Sequence, residues 1–407
     1  GGEPPLGSLE LDLAQMALAL PGLTWTKPAG VPARASVAVR LAETASIERL
    51  EVEGGGLDIA GAATFDGVGQ LATVAIERFV IPDMADLSAA ASLSDEILRV
   101  DLSGAKLDAD LLDPRTSSGD GTTDIEAAVD LGELVLVPEV VLIPAHGRLA
   151  IGADGTLSSI FEGRVNGFAA VNGSATVPSD GTPGEVIIES EDAGAFLRAT
   201  GLATEAQGGR LRIAARLLDG SLDQLSGQVR MTDVQMTDSS VLSRALRRGD
   251  SERQIIETRD GGLRFSEMVI PFRYIDGIVT MRDAVAVGPK LALRMDGRID
   301  PGTGRVTMRG VASPAYALSS VIDRIPVLGR LLTGDRGEGL LALTFRVSGT
   351  YEDPEIDVNP LSILAPGILR SVFEGEIEDF SAGKDVVDTS RPEAPALDRA
   401  ERFRPRD

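Results

Sequence analysis

Leu341-Ala342-Leu343-Thr344-Phe345-Arg346-Val347-Ser348 is the stretch that decides the fold. Its large apolar residues fall on every second position. Successive side chains of a strand point to opposite faces, so this run has one greasy face and one wet face. The alternation recurs in Leu291/Leu293/Met295 against Ala292/Arg294/Asp296 and in Val306/Met308 against Arg305/Thr307/Arg309. It recurs again in Leu211/Ile213/Ala215/Leu217 against Arg210/Arg212/Ala214/Arg216, and in Ile125/Ala127/Val129/Leu131 against Glu126/Ala128/Asp130. Where the alternation breaks stand Asp66-Gly67, Asp120-Gly121, Asp154-Gly155, Asp180-Gly181, Asp219-Gly220, Asp260-Gly261-Gly262 and Asp300-Pro301-Gly302. Asp-Gly between alternating runs marks a hairpin, because glycine supplies the positive φ of a tight turn. The expectation is a mainly β chain: an elongated, curled antiparallel sheet, a meander whose continuous apolar face forms an open groove.

The chain has 407 residues, long for one ordinary core, yet no linker divides it before the C-terminal tail. Cysteine is absent and histidine occurs once, at His146, which removes thiolate zinc sites, disulfides, cysteine nucleophiles and multi-histidine metal clusters. A formal charge of -23, from 39 Lys and Arg against 62 Asp and Glu, disfavours a nucleic-acid partner. The longest apolar stretch, Leu134 to Ala145, is interrupted by Pro138, Glu139 and Pro144 and falls short of the ~20 residues of a membrane helix. The chain opens on Gly1-Gly2-Glu3 with no signal-peptide pattern, so the expectation is a fragment whose membrane anchor lies upstream.

Four helical interruptions are expected. Asp192 caps one from Ala193 to Thr200 that ends at Gly201, and Ser239 or Ser240 begins one running through Arg244, Arg247 and Arg248 to Gly249. Those arginines suit the helix end, and an anionic headgroup is their alternative use. A third starts at Ser313-Pro314 and aligns Leu318, Val321, Ile322 and Ile325, continued by Leu328 and Leu331. The fourth begins at Asn359-Pro360 and aligns Leu361, Leu364, Ile368 and Phe373. These last two amphipathic helices read either as a cap over the sheet end or as a membrane contact. Residues 376–407 lack apolar periodicity and read as a disordered tail.

Candidate chemistry is thin. His146, between Pro144 and Gly147, reads as a solvated turn residue, since a triad needs assembled partners. Asp108/Asp110 and Glu376/Glu378 are pairs that an acidic chain produces by chance, and no calcium loop is present. Gly54-Gly55-Gly56 and Gly208-Gly209 lack the Lys-Ser/Thr of a phosphate loop and read as turns. No catalytic residue, metal ligand or cofactor is expected.

Three segments resemble a known family. They are Leu18-Ala19-Leu20-Pro21-Gly22-Leu23-Thr24-Trp25-Thr26-Lys27-Pro28-Ala29-Gly30; Ser190-Glu191-Asp192-Ala193-Gly194-Ala195-Phe196-Leu197-Arg198-Ala199-Thr200-Gly201-Leu202; and a C-terminal block. The block includes Gly297-Arg298-Ile299-Asp300, Ile325-Pro326-Val327-Leu328-Gly329, Phe345-Arg346-Val347-Ser348-Gly349, Asp353-Pro354 and Val358-Asn359-Pro360-Leu361. It is similar to the C-terminal signature of AsmA-like proteins of the Gram-negative envelope, in particular the large YhdP-type members. The resemblance implies a periplasmic, inner-membrane-anchored groove of the bridge-like lipid transfer type, with phospholipids and both membranes as partners and room for an outer-membrane or periplasmic protein.

On that reading the groove is lined by Leu211, Ile213, Leu217, Leu291, Leu293, Met295, Val306, Met308, Leu341, Leu343, Phe345 and Val347. The organisation is a groove segment over 1–190, a second with two short helices over 191–312, a cap over 313–375 and a tail. Some twenty strands at ~4.8 Å would span on the order of 100 Å. The alternatives are an envelope scaffold or outer-membrane assembly factor with the same fold and, last, an enzyme on a β-helical body. Aromatics at 4% support sugar stacking poorly.

Overall fold

The computed structural model describes residues 6–42, 44–112, 123–137, 140–218, 224–237, 262–289, 291–314, 343–350 and 354–359. These fall in one unit, Gly1–Ile363; the other unit is Leu364–Asp407. The strands of the first half are β1 (Leu6–Asp12), β2 (Leu18–Ala19), β3 (Thr26–Lys27), β4 (Ala33–Leu41), β5 (Ala45–Gly54), β6 (Leu57–Phe65), β7 (Leu71–Ile81), β8 (Ala85–Ser94), β9 (Ile97–Asp108), β10 (Asp124–Val137), β11 (Val140–Ile151), β12 (Leu157–Val165), β13 (Ala169–Val177) and β14 (Glu185–Ser190). A helix, α1 (Ala193–Ala199), precedes β15 (Ala206–Gln207), β16 (Arg210–Leu217), β17 (Gln224–Met236), β18 (Leu263–Ile275), β19 (Ile278–Val287), β20 (Leu291–Asp300), β21 (Arg305–Pro314), β22 (Leu343–Gly349) and β23 (Pro354–Asn359).

Twenty of these strands form one open sheet. β1 pairs with β4, pairing then runs strand by strand to β14, passes to β16 and continues to β23. β15 adds a short pairing at β17, and β2 with β3 makes a separate hairpin. Bulges interrupt many of the ladders, among them β5–β6, β7–β8, β11–β12 and β19–β20; each bends its strand and increases the local twist.

The expected uninterrupted antiparallel meander is broken once. β9 and β10 run parallel, with Ile97 opposite Asp124 and Asp108 opposite Val135. Parallel neighbours need a crossover back to the starting end. It opens with a 3-10 turn, Ala109–Leu111, capped by the Asp108 carboxylate, which accepts the Asp110 N–H. Nothing periodic in 109–123 distinguishes that crossover from a hairpin loop.

The two long edges of the sheet differ. One edge carries only short hairpin connections, at 42–44, 66–70, 95–96, 152–156, 178–184, 218–223, 276–277, 301–304 and 350–353, besides the arrival of the β9–β10 crossover at Asp124. Every long hairpin connection, at 13–32, 191–209, 237–262 and 315–342, leaves from the other edge. Asp154-Gly155 and Asp180-Gly181 form tight turns as expected, with Gly155 and Gly181 at φ 85° and 79°.

Helix α1 forms where Asp192 predicts it, the Asp192 carboxylate accepting the Ala195 N–H at 2.8 Å. Its Ala195, Phe196 and Ala199 pack on the apolar face of the sheet. Ser313 and Pro314 do not open a helix; they end β21, paired with Ala292 and Leu291. Proline is tolerated at a strand terminus, where its missing donor costs little. His146 lies within β11 rather than in a turn, one residue beyond a bulge that accommodates Pro144. Helices expected at 239–249, beyond Pro314 and beyond Asn359 fall outside the described residues, as does the tail.

The largest buried cluster joins Leu57, Ile59, Ile81, Ala85, Leu107, Leu111, Leu131, Leu142, Ala145, Val165, Ala169 and Val171 across β6–β13. A second joins Leu263, Phe265, Ala286, Leu291, Leu293, Ala312 and Phe345 across β18–β22.

Candidate functional site

Following the register from one strand to the next gives a row that crosses the whole sheet. It runs Gly7, Val39, Ile47, Ala63, Val74, Ala91 and Val100 on β1 and β4–β9. It continues through Ala127, Leu149, Ser159, Ala175, Val186, Ala215 and Gly227 on β10–β14, β16 and β17. It ends with Phe272, Met281, Gly297, Met308, Val347 and Ile356 on β18–β23. No charged residue interrupts it, and Ser159 is its one hydroxyl. A second row, from Leu9 through Leu50, Ile76, Leu102, Val129, Phe161, Ile188 and Val229 to Ile270, lies beside it.

On β4–β13 the two sides of this face differ in cover; on the later strands Ala215, Leu217, Met281, Ile299 and Val306 are buried beside the short-turn edge as well. Near the edge with the long connections, residues such as Leu107, Leu131, Leu142 and Val165 are buried. Near the short-turn edge every residue of the first row from Val39 to Ala175 is only half-buried. The long hairpin connections all leave from the other edge; the β9–β10 crossover, which returns to the short-turn edge at Asp124, lies outside the described residues over 113–122. A large apolar stripe left half in water is costly for a protein to keep without use.

Among the described residues two segments cover the buried side. In the flap formed by 13–32, Leu20, Leu23 and Trp25 pack on the large cluster, and the Thr24 N–H donates to the Leu111 carbonyl at 2.8 Å. Lys27 locks the flap. Only 1% exposed, its ammonium donates to the carbonyls of Met16, Val31 and Pro28 at 2.8, 2.9 and 3.2 Å. Helix α1 is the second cover, over β13–β17.

The opposite face is polar in the same register. Arg40, Ser46, Thr64, Thr73, Ser92, Arg99 and Glu126 lead to Glu185, Arg216, Ser226, Arg273, Thr280, Arg298 and Thr307. Arg40 pairs with Glu48 at 3.0 Å and Arg99 with Glu126 at 3.4 Å. The Ser46 hydroxyl, and after it Arg40, hold the Glu48 carboxyl below the usual range. His146 belongs to this wet face, its Nδ1 2.9 Å from Asp130 Oδ1.

Of the residues expected to line a groove, Leu211, Leu217, Leu291, Leu293, Val306 and Phe345 are buried, while Ile213, Met295, Met308 and Val347 are half-buried. The register puts them on one face: Leu211, Met231, Met268, Ala286, Leu293, Ala312 and Leu343 form one row. Leu341 and the helical cap positions Leu318, Val321, Ile322, Ile325, Leu328, Leu331, Leu361, Leu364, Ile368 and Phe373 lie outside the described residues, as do Arg244, Arg247 and Arg248.

Sequence reasoning read the stripe on β10, at Ile125, Ala127, Val129 and Leu131, but missed the rest of it on β4–β13, the Lys27 lock and the glycine notches. In the notches, large side chains lie over glycines, Phe161 over Gly173 and Phe345 over Gly310. Among the described residues no group of three or more potential ligands could hold a metal ion, and no helix is long and apolar enough to cross a membrane. No family model, curated protein or solved structure matches this chain.

Proposed function

We propose that this chain is the periplasmic segment of a bridge-like lipid transfer protein, one that shields phospholipid acyl chains between the inner and outer membranes and supports outer-membrane lipid homeostasis. The observation that carries the reading is the uncharged row across all twenty strands, half-buried from Val39 on β4 to Ala175 on β13. Acyl chains lying on it would leave water at about 0.8 kcal/mol per buried CH₂ while headgroups stay wet beyond the edge. Because the row keeps the same character from strand to strand, it offers no deep trap, and lipid can move along it. No residue need react. The envelope address, the upstream inner-membrane anchor and the choice of phospholipid rest on the resemblance of the C-terminal block to AsmA-like proteins.

A bulky plug tests it. Ala127→Trp on the row should stop lipid transfer between donor and acceptor vesicles, whereas Ala128→Trp, on the wet face of the same strand, should leave it intact. Equal transfer by both variants would refute the conduit. A second reading, a scaffold or assembly factor, is favoured by β1, an edge strand exposed throughout, with Leu9 at 55%. Such an edge can pair with a strand of another protein.

A further inference from the structure

We infer that Met281 and Met308 form a swinging gate across the apolar row, closed over Gly297 and opened by the acyl chain that passes. The gate presupposes the conduit reading and gives it a point of control. From β4 to β13 every member of the row is half-buried, and Ala63, Ala91, Ala127, Ser159 and Ala175 give it a low floor. From β18 to β21 the row reads Phe272, Met281, Gly297 and Met308, and there it is shut, with Met281 only 7% exposed. A methyl group built on Gly297 would lie 2.7 Å from Met308 Cγ and 3.3 Å from Met281 Cε. Two thioether chains thus converge, from the strands on either side, over the one residue between them that has no side chain.

The convergence is built into the backbone. β19 bulges directly after Met281: between matched pairs it has residues 282–284 against 270 and 271 on β18, and 282 and 283 against 296 alone on β20. Such a bulge bends the strand and re-aims the side chain beside it. Asp283 takes up the irregularity at φ 54°, a left-handed conformation that aspartate adopts more readily than most residues. Two partners on β20 hold it there. The Asp283 N–H donates to Asp296 Oδ1 at 2.8 Å, and Arg294 Nε donates to Asp283 Oδ1 at 3.0 Å. The backbone that aims Met281 is fixed, while the methionine chains themselves keep their torsional freedom.

Methionine suits a gate better than a plug. Its chain is unbranched, turns about three bonds and repacks at small cost. Elsewhere on the sheet a glycine is roofed by a ring, Gly173 by Phe161 and Gly310 by Phe345, and a ring moves only as a rigid plate. Met308 is half-buried, so its chain has an open side to swing toward. With both thioethers aside, the floor at Gly297 matches the low floor of β6–β13. The space selects the occupant. β19 and β21 stand about 9.6 Å apart at two strand spacings, too close for a helix about 10 Å across but wide enough for one hydrocarbon chain. No strand can be added either, because β19, β20 and β21 are hydrogen-bonded on both sides.

The test is phosphatidylcholine transfer between donor and acceptor vesicles by two substitutions at the one half-buried position. Met308→Ala removes a leaf of the gate and should speed transfer. Met308→Phe lays a ring over Gly297 and should slow it, each by a factor of about five, the order set by one side chain held off its rotamer. A methionine that only fills the core would give slower transfer in both variants or no change in either, and both outcomes would overturn the gate. Far-UV circular dichroism checks that the variants fold. If one does not, the parent supplies a second measurement: labelled at its methionine methyls and mixed with vesicles of acyl-chain spin-labelled phosphatidylcholine, it should lose the Met281 and Met308 signals. Persistence of both signals would overturn the gate. Failure of the conduit is distinguishable, because Ala127→Trp would then transfer as well as Ala128→Trp and the gate would fall with it. A block by Ala127→Trp alone, with both Met308 variants equal to the parent, would overturn the gate and leave the conduit standing.

Discussion

A methyl group added to Gly173 would lie 2.4 Å from Phe161 Cζ and 2.5 Å from the Ile187 carbonyl oxygen, a contact the backbone cannot relieve. One added to Gly297 meets Met308 Cγ at 2.7 Å, part of an unbranched side chain that can swing aside. Gly173→Ala is therefore expected to cost about 2 kcal/mol and Gly297→Ala distinctly less, read from urea denaturation. Equal costs would remove the case for a ring seated over Gly173. Lys27→Met keeps the stem packed on Gly55 but leaves three carbonyls without a donor. A loss of about 3 kcal/mol is expected, followed through Trp25, the one tryptophan. Neither role was legible in the sequence. The acceptors around Lys27 are backbone carbonyls that no pattern marks, and a glycine inside a strand does not announce which ring covers it.

Hairpins were the most legible elements, because Asp-Gly carries its own turn geometry. Asp154 accepts the Thr156 N–H and hydroxyl, and Asp180 accepts the Thr182 N–H and hydroxyl. Both carboxyls are held below the usual range, Asp154 chiefly by the Thr156 backbone and Asp180 chiefly by the Thr182 hydroxyl. A lowered folded-state pKa means these contacts stabilise fully above the unfolded value of about 3.9 and are lost as pH falls through the lower folded value. Amide protection of Thr156 and Thr182 should fall in that acid window, and Asp154→Asn should remove the pH dependence at Thr156. Constant protection through the window would contradict it. Helix α1 was equally legible from its cap. The parallel β9–β10 pair was not, since alternation within a strand says nothing about which neighbour it takes, and Ser313-Pro314 reads as a helix start only while the β20 partner is unseen.

Across the sheet, the C-terminal stripe was legible because Leu, Met, Phe and Val stand out against Arg and Thr. Apart from the β10 run through Ala127, the stripe on β4–β13 was hidden, because Ala63, Ala91, Ser159 and Ala175 are small and their faces are set by register. Bulges set that register, as at Ile47/Leu50 and Ile76/Phe79, where one extra residue shifts the phase of the alternation. Cover was invisible as well: which edge stays open depends on where the long connections leave. On the conduit reading the half-buried row, and not the wet face, meets lipid. Photocrosslinking probes at Val74, Leu149 and Met308, compared with Thr73, Arg148 and Thr307 next to them in sequence, test it most directly in cells. Phospholipid adducts are expected at the first three positions and none at the second three; adducts at neither set in folded protein, or at both alike, would contradict lipid binding along the row.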